Sequence, residues 1–347
     1  VLYLFGQDAE VMFASHHWPR WGNERIQEVL VGQRDLYANI NNQVLHLANQ
    51  GVTINQVHNV YQTPEGIARQ WYNRGYHGSP EHNSRAVINR FLGYWDANPA
   101  TLIPLSPADS APLYVEMMGG ADRIMAKGRE LHDEGAYLKA QEILNKLVQA
   151  EPDNQAAKDL LADVFEQIGY QQENPGLRNS YLAGAFELRS GIPGGQQLDS
   201  TGPDVVRAMS TELFLDFVAI RMDPNEAAGM EFTINLVTPD NGEKFIVELS
   251  NSTLTNIEGF QAEDPDLTVT INRSDLETVM MGAKTLRAQI DDGTAKAEGN
   301  TDIIGQLAST LVAFDPRFEI LPGTTRGPAA DTDANDYEVS GIDLGGE

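Results

Sequence analysis

Val11-Met12-Phe13-Ala14-Ser15-His16-His17-Trp18-Pro19-Arg20-Trp21-Gly22 is the stretch on which the reading of this chain turns. Four apolar or small residues lead into Ser15-His16-His17 and then into a Trp-Pro turn. Val, Met and Phe suit a short buried strand, and Trp18-Pro19 does not extend it. The two histidines are therefore expected at the C-terminal end of a strand, where an imidazole reaches a site above a sheet. An imidazole so placed is a metal ligand, a general base or a hydrogen-bonded core residue. The residues alone leave all three open.

Working outward, residues 1–5 read as a partner strand joined to Val11–Ala14 through a Gly6-Gln7-Asp8 turn. Downstream, Ile26, Val29, Leu30, Tyr37, Ile40, Val44, Leu47 and Ala48 recur at helical spacing over residues 24–49, and Gly51 supplies the stop. Thr63-Pro64-Glu65 has the cap, proline and early acid of a helix start. Residues 73–79 form a glycine-punctuated polar loop carrying Arg74, Tyr76 and His77, and a further helix is expected over residues 82–94.

Several separate motifs, in order, resemble the alkyl sulfatases, zinc hydrolases of the metallo-β-lactamase fold that cleave sulfate esters such as dodecyl sulfate. Ser15-His16-His17-Trp18-Pro19 is similar to their last metal-binding loop. The likeness continues through Gln33-Arg34-Asp35-Leu36-Tyr37, Leu47-Ala48-Asn49-Gln50-Gly51, Asn73-Arg74-Gly75-Tyr76-His77-Gly78, Asp96-Ala97-Asn98-Pro99-Ala100 and Met118-Gly119-Gly120-Ala121-Asp122. It covers most of residues 1–322.

Fifty acidic residues against 24 basic ones leave a net charge of −26 on 347 residues. Such a surface repels phosphate backbones and anionic membranes, so no nucleic-acid partner is expected. No apolar run is long enough to span a membrane. The chain has no cysteine, which excludes disulfides and thiolate zinc clusters, so a metal would be held by His, Asp or Glu.

Three prolines over residues 100–114 suggest an extended connection, with a domain boundary near Ala97. Beyond it, Gly135-Ala136-Tyr137, Ala140, Leu144, Pro152-Asp153-Asn154 and Ala157 follow the spacing of a tetratricopeptide-type helical hairpin. One or two such units do not close their own apolar face. In the alkyl sulfatases the corresponding block is the dimerisation domain, so the resemblance implies a homodimer. Ile192-Pro193-Gly194-Gly195 marks a linker. The last domain is α+β: alternating strands near residues 231–237 and 245–249 flank a Thr238-Pro239-Asp240-Asn241-Gly242 turn, and residues 267–271 form another strand. Ser274-Asp275-Leu276-Glu277 reads as a capping box, and residues 302–312 as a last helix. This order resembles the sterol-carrier-protein-2-like domain that ends the alkyl sulfatases. Met280, Met281, Leu286 and Ile290 are either the lining of its alkyl-chain tunnel or ordinary core. The tail from Ala330, with six acidic and no basic residues, is expected to be disordered. Its Asp331, Asp333 and Asn335 do not make a calcium loop, because Asp336 stands where glycine is needed.

The expected architecture is therefore multidomain α+β. Residues 1–96 would be the C-terminal part of a metallo-β-lactamase-like αββα domain, 97–191 the helical dimerisation domain and 192–203 a linker. Residues 204–322 would form the sterol-carrier-like domain and 323–347 the tail.

Hydroxide attack on a sulfate ester is opposed by the ester's own charge. A two-zinc site answers this by lowering the pKa of bound water and neutralising charge on the sulfate. The family's first ligand cluster, His-x-His-x-Asp-His, is not in these residues. Its last ligand aligns with His16, leaving His17 as a neighbouring donor or as packing beneath Trp18. The resemblance also brings the Arg74–His77 loop to the sulfate pocket, where Arg74 would bind the anion and His77 would donate to the ester. Relatives carry a tyrosine near Ile88, which has no hydrogen-bonding group. His46, His58, His82 and His132 are expected to be structural or solvated. Alone, these residues are expected to be inactive as the C-terminal part of a sulfuric ester hydrolase. A non-catalytic dimer that binds apolar ligands is the alternative. Relatives are often exported, so a secreted or periplasmic setting is what the resemblance implies.

Overall fold

The computed structural model describes residues 1–192, 202–315 and 317–325, and groups the chain into two compact units. Of the described residues, 1–192 and 318–325 belong to the first unit and the rest to the second. The α+β composition expected of the chain is what is found.

The first unit opens on a turn, not on the expected strand. The Val1 carbonyl accepts from the backbone N–H of Leu4, Phe5 and Gly6 at 3.2, 2.9 and 3.1 Å, which curls residues 1–6 back on themselves. Strand β1 (Val11–Ala14) then pairs antiparallel with β2 (His17–Trp21), and Ser15-His16 is the turn between them. The hairpin corrects two expectations. Val11 and Phe13 are exposed rather than buried, and Trp18-Pro19 lies inside the second strand. Proline is tolerated there because a two-stranded ribbon has an edge where no N–H is required.

Helix α1 (Asn23–Ala48) buries Ile26, Val29, Ile40 and Val44, while Tyr37 turns to solvent. Short α2 (Val57–Val60), α3 (Glu65–Ala68) and then α4 (Pro80–Leu92) follow. Pro64, not Thr63, occupies the cap position of α3. The Ser79 hydroxyl caps α4, accepting from His82 N–H at 3.3 Å. Ile40, Val44, Val57, Tyr61 and Ile88 form one small core.

The connection expected to be extended is in part helical: α5 (Pro107–Met117) starts on the Ser106 cap and tolerates Pro112. Pro107 sits at the first turn, where its missing N–H has no helical partner to lose. Helices α6 (Ala121–Asp133), α7 (Tyr137–Ala150), α8 (Gln155–Tyr170) and α9 (Pro175–Ser190) pack successively. Ile124, Leu144, Leu147, Leu161 and Leu188 are their buried centre. Residues on both sides of Ala97 belong to this unit.

Residues 318–325 return to the same helices. The buried Glu187 carboxylate accepts from Ile320 N–H, Leu321 N–H and the Thr324 hydroxyl at 2.8, 2.9 and 2.7 Å. The buried Lys158 ammonium donates to the Gly323 carbonyl at 2.6 Å. Each charge is thus met by hydrogen-bonding groups of this returning segment, as burial demands.

In the second unit, α10 (Pro203–Ala208) and α11 (Thr211–Arg221) precede the sheet. Its strands are β3 (Phe232–Thr238), β4 (Glu243–Ser250), β5 (Thr253–Glu258), β6 (Leu267–Thr270) and β7 (Lys296–Gly299). The spatial order is β5-β4-β3-β6-β7, with only the β3–β6 pair parallel. Alternate residues Phe232, Ile234 and Leu236 face the core with Phe245, Val247 and Leu249. Against them pack α11, α12 (Arg273–Met280), α13 (Leu286–Asp291) and α14 (Asp302–Ser309). The expected capping box is replaced by a distant cap. Asp240, in the β3–β4 turn, accepts from the N–H groups of Arg273 and Ser274 at 2.6 and 3.2 Å. Most of the expected linker and the acidic tail lie outside the described residues.

Candidate functional site

Two loops meet at the histidines. The first is the β1–β2 hairpin, and the second is the segment from Trp71 to Gly78. Helix α1 holds the start of that segment. Gln33 donates to the Tyr72 carbonyl, and Asn73 Nδ2 donates to the Gly32 carbonyl at 3.2 Å and to Gln70 Oε1 at 2.7 Å. Gly32 permits this approach, because a Cβ there would stand 2.5 Å from Tyr72 Cε2. At the other end, Asn174 caps α9 with its oxygen and donates to the Gly78 carbonyl at 2.6 Å with its nitrogen. Burial, and then the neighbouring Glu28 carboxylate, push the Tyr72 phenol up.

The imidazoles of His16 and His77 stack, with ring centroids 3.6 Å apart and planes 3° from parallel. Sequence reading named both, and the structure brings them together. His17 is placed differently. Its ring meets Trp71 and Tyr76 edge-on at 5.3 Å each. Nδ1 accepts from Trp18 N–H at 2.8 Å and lies 3.1 Å from Arg20 Nη2. Two donors on Nδ1 leave the ring proton to Nε2, which is buried on the side of the Tyr72 backbone. Burial, and then the Arg20 charge, lower the His17 pKa, while the Tyr72 backbone opposes them.

Arg20 was not singled out from sequence. It is 4 % exposed, lies 4.1 Å above the Trp71 ring and donates to the carbonyls of Trp18 and Pro19. No carboxylate pairs with it among the described residues, and burial, then Arg25, lower its pKa. The available signal was alternation along β2, whose exposed Pro19 and Trp21 flank a residue of opposite face.

Arg74 is already engaged. Its Nε and Nη2 meet the two carboxylate oxygens of Glu173 at 3.1 and 2.7 Å. Ile88 sits in the core at 3 % exposure rather than at a site surface. His46, His58, His82 and His132 lie on helices α1, α2, α4 and α6. In the second unit Met280 is buried, and Met281, Leu286 and Ile290 pack against the same core.

A catalytic zinc usually takes three protein ligands. Among the described residues no three His, Asp or Glu side chains gather to hold one. These residues alone do not fit a zinc centre; what they offer is His16, exposed and without a hydrogen-bond partner among the described residues.

The helical block and the sheet unit both match the alkyl sulfatases: the alkyl sulfatase dimerisation family over residues 53–191 and the alkyl sulfatase C-terminal family over residues 199–323. The chain belongs to the alkyl sulfatase family. A linear primary-alkylsulfatase from Pseudomonas sp. is 43% identical to it over 92% of this chain and 48% of that protein. The alkyl/aryl-sulfatase BDS1 of Saccharomyces cerevisiae is 37% identical over 91% of this chain and 49% of that protein. The solved structure of the stereoselective inverting sec-alkylsulfatase Pisa1 from Pseudomonas sp. matches with a TM-score of 0.85 at 37% identity, over 92% of this chain and 50% of that one. The chain thus spans about half the length of the curated relatives it matches.

Among the described residues no helix is long and apolar enough to cross a membrane.

Proposed function

We propose that this chain forms part of a zinc-dependent alkyl sulfatase that hydrolyses primary alkyl sulfate esters, of the dodecyl sulfate type, to alcohol and inorganic sulfate. The observation that carries this is the His16–His77 stack at 3.6 Å, in a chain 43% identical to a linear primary-alkylsulfatase. His16 is the one metal ligand contributed here, the others coming from the part of the relatives' length that these residues do not span. The blocked Nδ1 and buried Nε2 of His17 support His16 over it. His77 serves the ester from beside His16, donating a proton or hydrogen bond to its oxygen. Arg74 becomes an anion contact only on leaving Glu173.

The helical unit dimerises. Large apolar side chains at Leu102, Ile103, Leu105, Leu113, Tyr114 and Met117 are exposed around α5, within the matched dimerisation region. On this reading residues 1–96 would close a metallo-β-lactamase-like domain, and the second unit would be a sterol-carrier-like one. The alternative, a non-catalytic carrier of apolar ligands, would have to draw on Met280, which is buried, and on Met281, Leu286 and Ile290, which are partly buried against the same core.

The test uses the chain alone and a hybrid with the N-terminal half of the primary-alkylsulfatase relative joined before Val1. The chain alone should bind no stoichiometric zinc and should not turn over dodecyl sulfate. The hybrid should do both, and His16→Ala should abolish both. Enzyme-like turnover by the chain alone overturns the proposal. Zinc retained in His16→Ala but lost in His17→Ala moves the ligand to His17.

A further inference from the structure

We infer that Arg20 is a positioning residue that staples the His16 loop to the His77 loop. One guanidinium reaches three acceptors in consecutive residues: His17 Nδ1 at 3.1 Å, the Trp18 carbonyl and the Pro19 carbonyl at 3.0 Å. Those residues immediately follow His16, so the same group fixes the exit of the hairpin turn. Its flat face covers Trp71, which opens the segment ending at His77. His17 doubles the link by setting its ring edge-on to both Trp71 and Tyr76. The side-chain hydrogen bonds of Arg20 and its ring contact all fall in the two loops that carry His16 and His77. A planar fork with several donors is needed, and lysine, a single compact charge, does not replace it. Burial of an unpaired guanidinium is costly, which is reasonable where geometry is being held rather than stability gained.

The catalytic significance of the pair rests on the function proposed above; the stapling itself does not. The test is therefore made first by NMR on the 347-residue chain with nitrogen-15 in its histidine rings. His17 should show a single neutral tautomer, protonated on Nε2. In Arg20→Lys that signature should be lost, and the His16 and His77 ring protons should both shift downfield as the stack opens. His46 and His132, on helices α1 and α6, should not move. Should Arg20→Lys not fold, Trp71→Leu removes the other half of the staple and should move the same two signals. Unmoved His16 and His77 signals in a folded variant, or a His17 proton on Nδ1, overturn the inference. In the active hybrid, Arg20→Lys should lower kcat by roughly 10- to 100-fold with KM and zinc content unchanged, the scale of loss from misplacing a catalytic group by about 1 Å. An inactive hybrid would defeat the sulfatase proposal and leave the NMR result standing.

Discussion

Arg74 and Glu173 form a two-pronged ion pair that joins the His77-bearing loop to the turn between α8 and α9. Its two contacts measure 3.1 and 2.7 Å, and both side chains remain about half exposed. The carboxylate occupies the same parallel fork that a sulfate group would use. An exposed pair of this kind contributes only about 0.2–1 kcal/mol. Glu173→Gln should therefore leave the chemical-denaturation midpoint of the chain nearly unchanged. In the active hybrid it should lower KM for dodecyl sulfate by freeing the guanidinium. An unchanged KM would remove Arg74 from substrate binding.

Gly32 sets how closely the Tyr72 segment approaches α1. A methyl group at Gly32 would lie 2.5 Å from Tyr72 Cε2 and 2.6 Å from Gln70 Oε1. Gly32→Ala should cost on the order of 1–3 kcal/mol by overpacking. Gly66, inside α3 with no atom in the way, is the control. Gly66→Ala should be neutral or stabilising by up to about 1 kcal/mol. Equal effects in urea melts would show that the close approach is not tight.

Asp240 ties the β3–β4 turn to the start of α12 through the N–H groups of Arg273 and Ser274. Slight burial raises its pKa, but those hydrogen bonds outweigh it and hold the carboxyl below its ordinary value. The stabilisation is therefore complete above the ordinary aspartate pKa of about 4 and is lost as pH falls through the lowered folded value. Asp240→Ala should cost about 0.5–2 kcal/mol at neutral pH. The difference from the parent chain should shrink in acid, measured by thermal melts across pH. A constant difference would mean that the carboxylate charge plays no part.

Ile103 is 92 % exposed and Leu105 63 % exposed, beside α5. Charged groups placed there would have to be desolvated in a dimer but not in a monomer. The double variant Ile103→Asp, Leu105→Asp should shift the chain toward monomer in sedimentation at unchanged melting of the isolated subunit. A dimer of undiminished affinity would put the interface on another face.

How much of this was legible differs by element. The α1 stripe and the β3–β4 hairpin carry strong periodicity, and both formed where their spacing placed them. Strands β5 and β7 left little trace because they are sheet edges; β5 buries only Leu254 and β7 has four residues. Residues 1–5 are apolar enough for a strand, but among the described residues no strand pairs with them and the Val1 carbonyl is satisfied locally. The prolines of residues 100–114 suggested extended chain because their position relative to the Ser106 cap decides the outcome. At the site, His16, His17, Arg74 and His77 were named from resemblance and residue type. The stack of His16 on His77 was not, since no local pattern encodes which distant loops meet. Arg20 escaped for the same reason: its partners are backbone carbonyls and a ring, invisible to any search for ligand spacing.

The return of residues 318–325 to Glu187 and Lys158 has a consequence for connectivity. Among the described residues the sheet unit is an insertion: the chain leaves the helical unit to build it and comes back afterwards. Two covalent tethers, rather than one, therefore join it to the helices. A protease that cuts once before α10 would nick the polypeptide without releasing the sheet unit, because its far end stays anchored by a buried carboxylate and a buried ammonium. Release would require a second event, either another cut or the unfastening of that anchor.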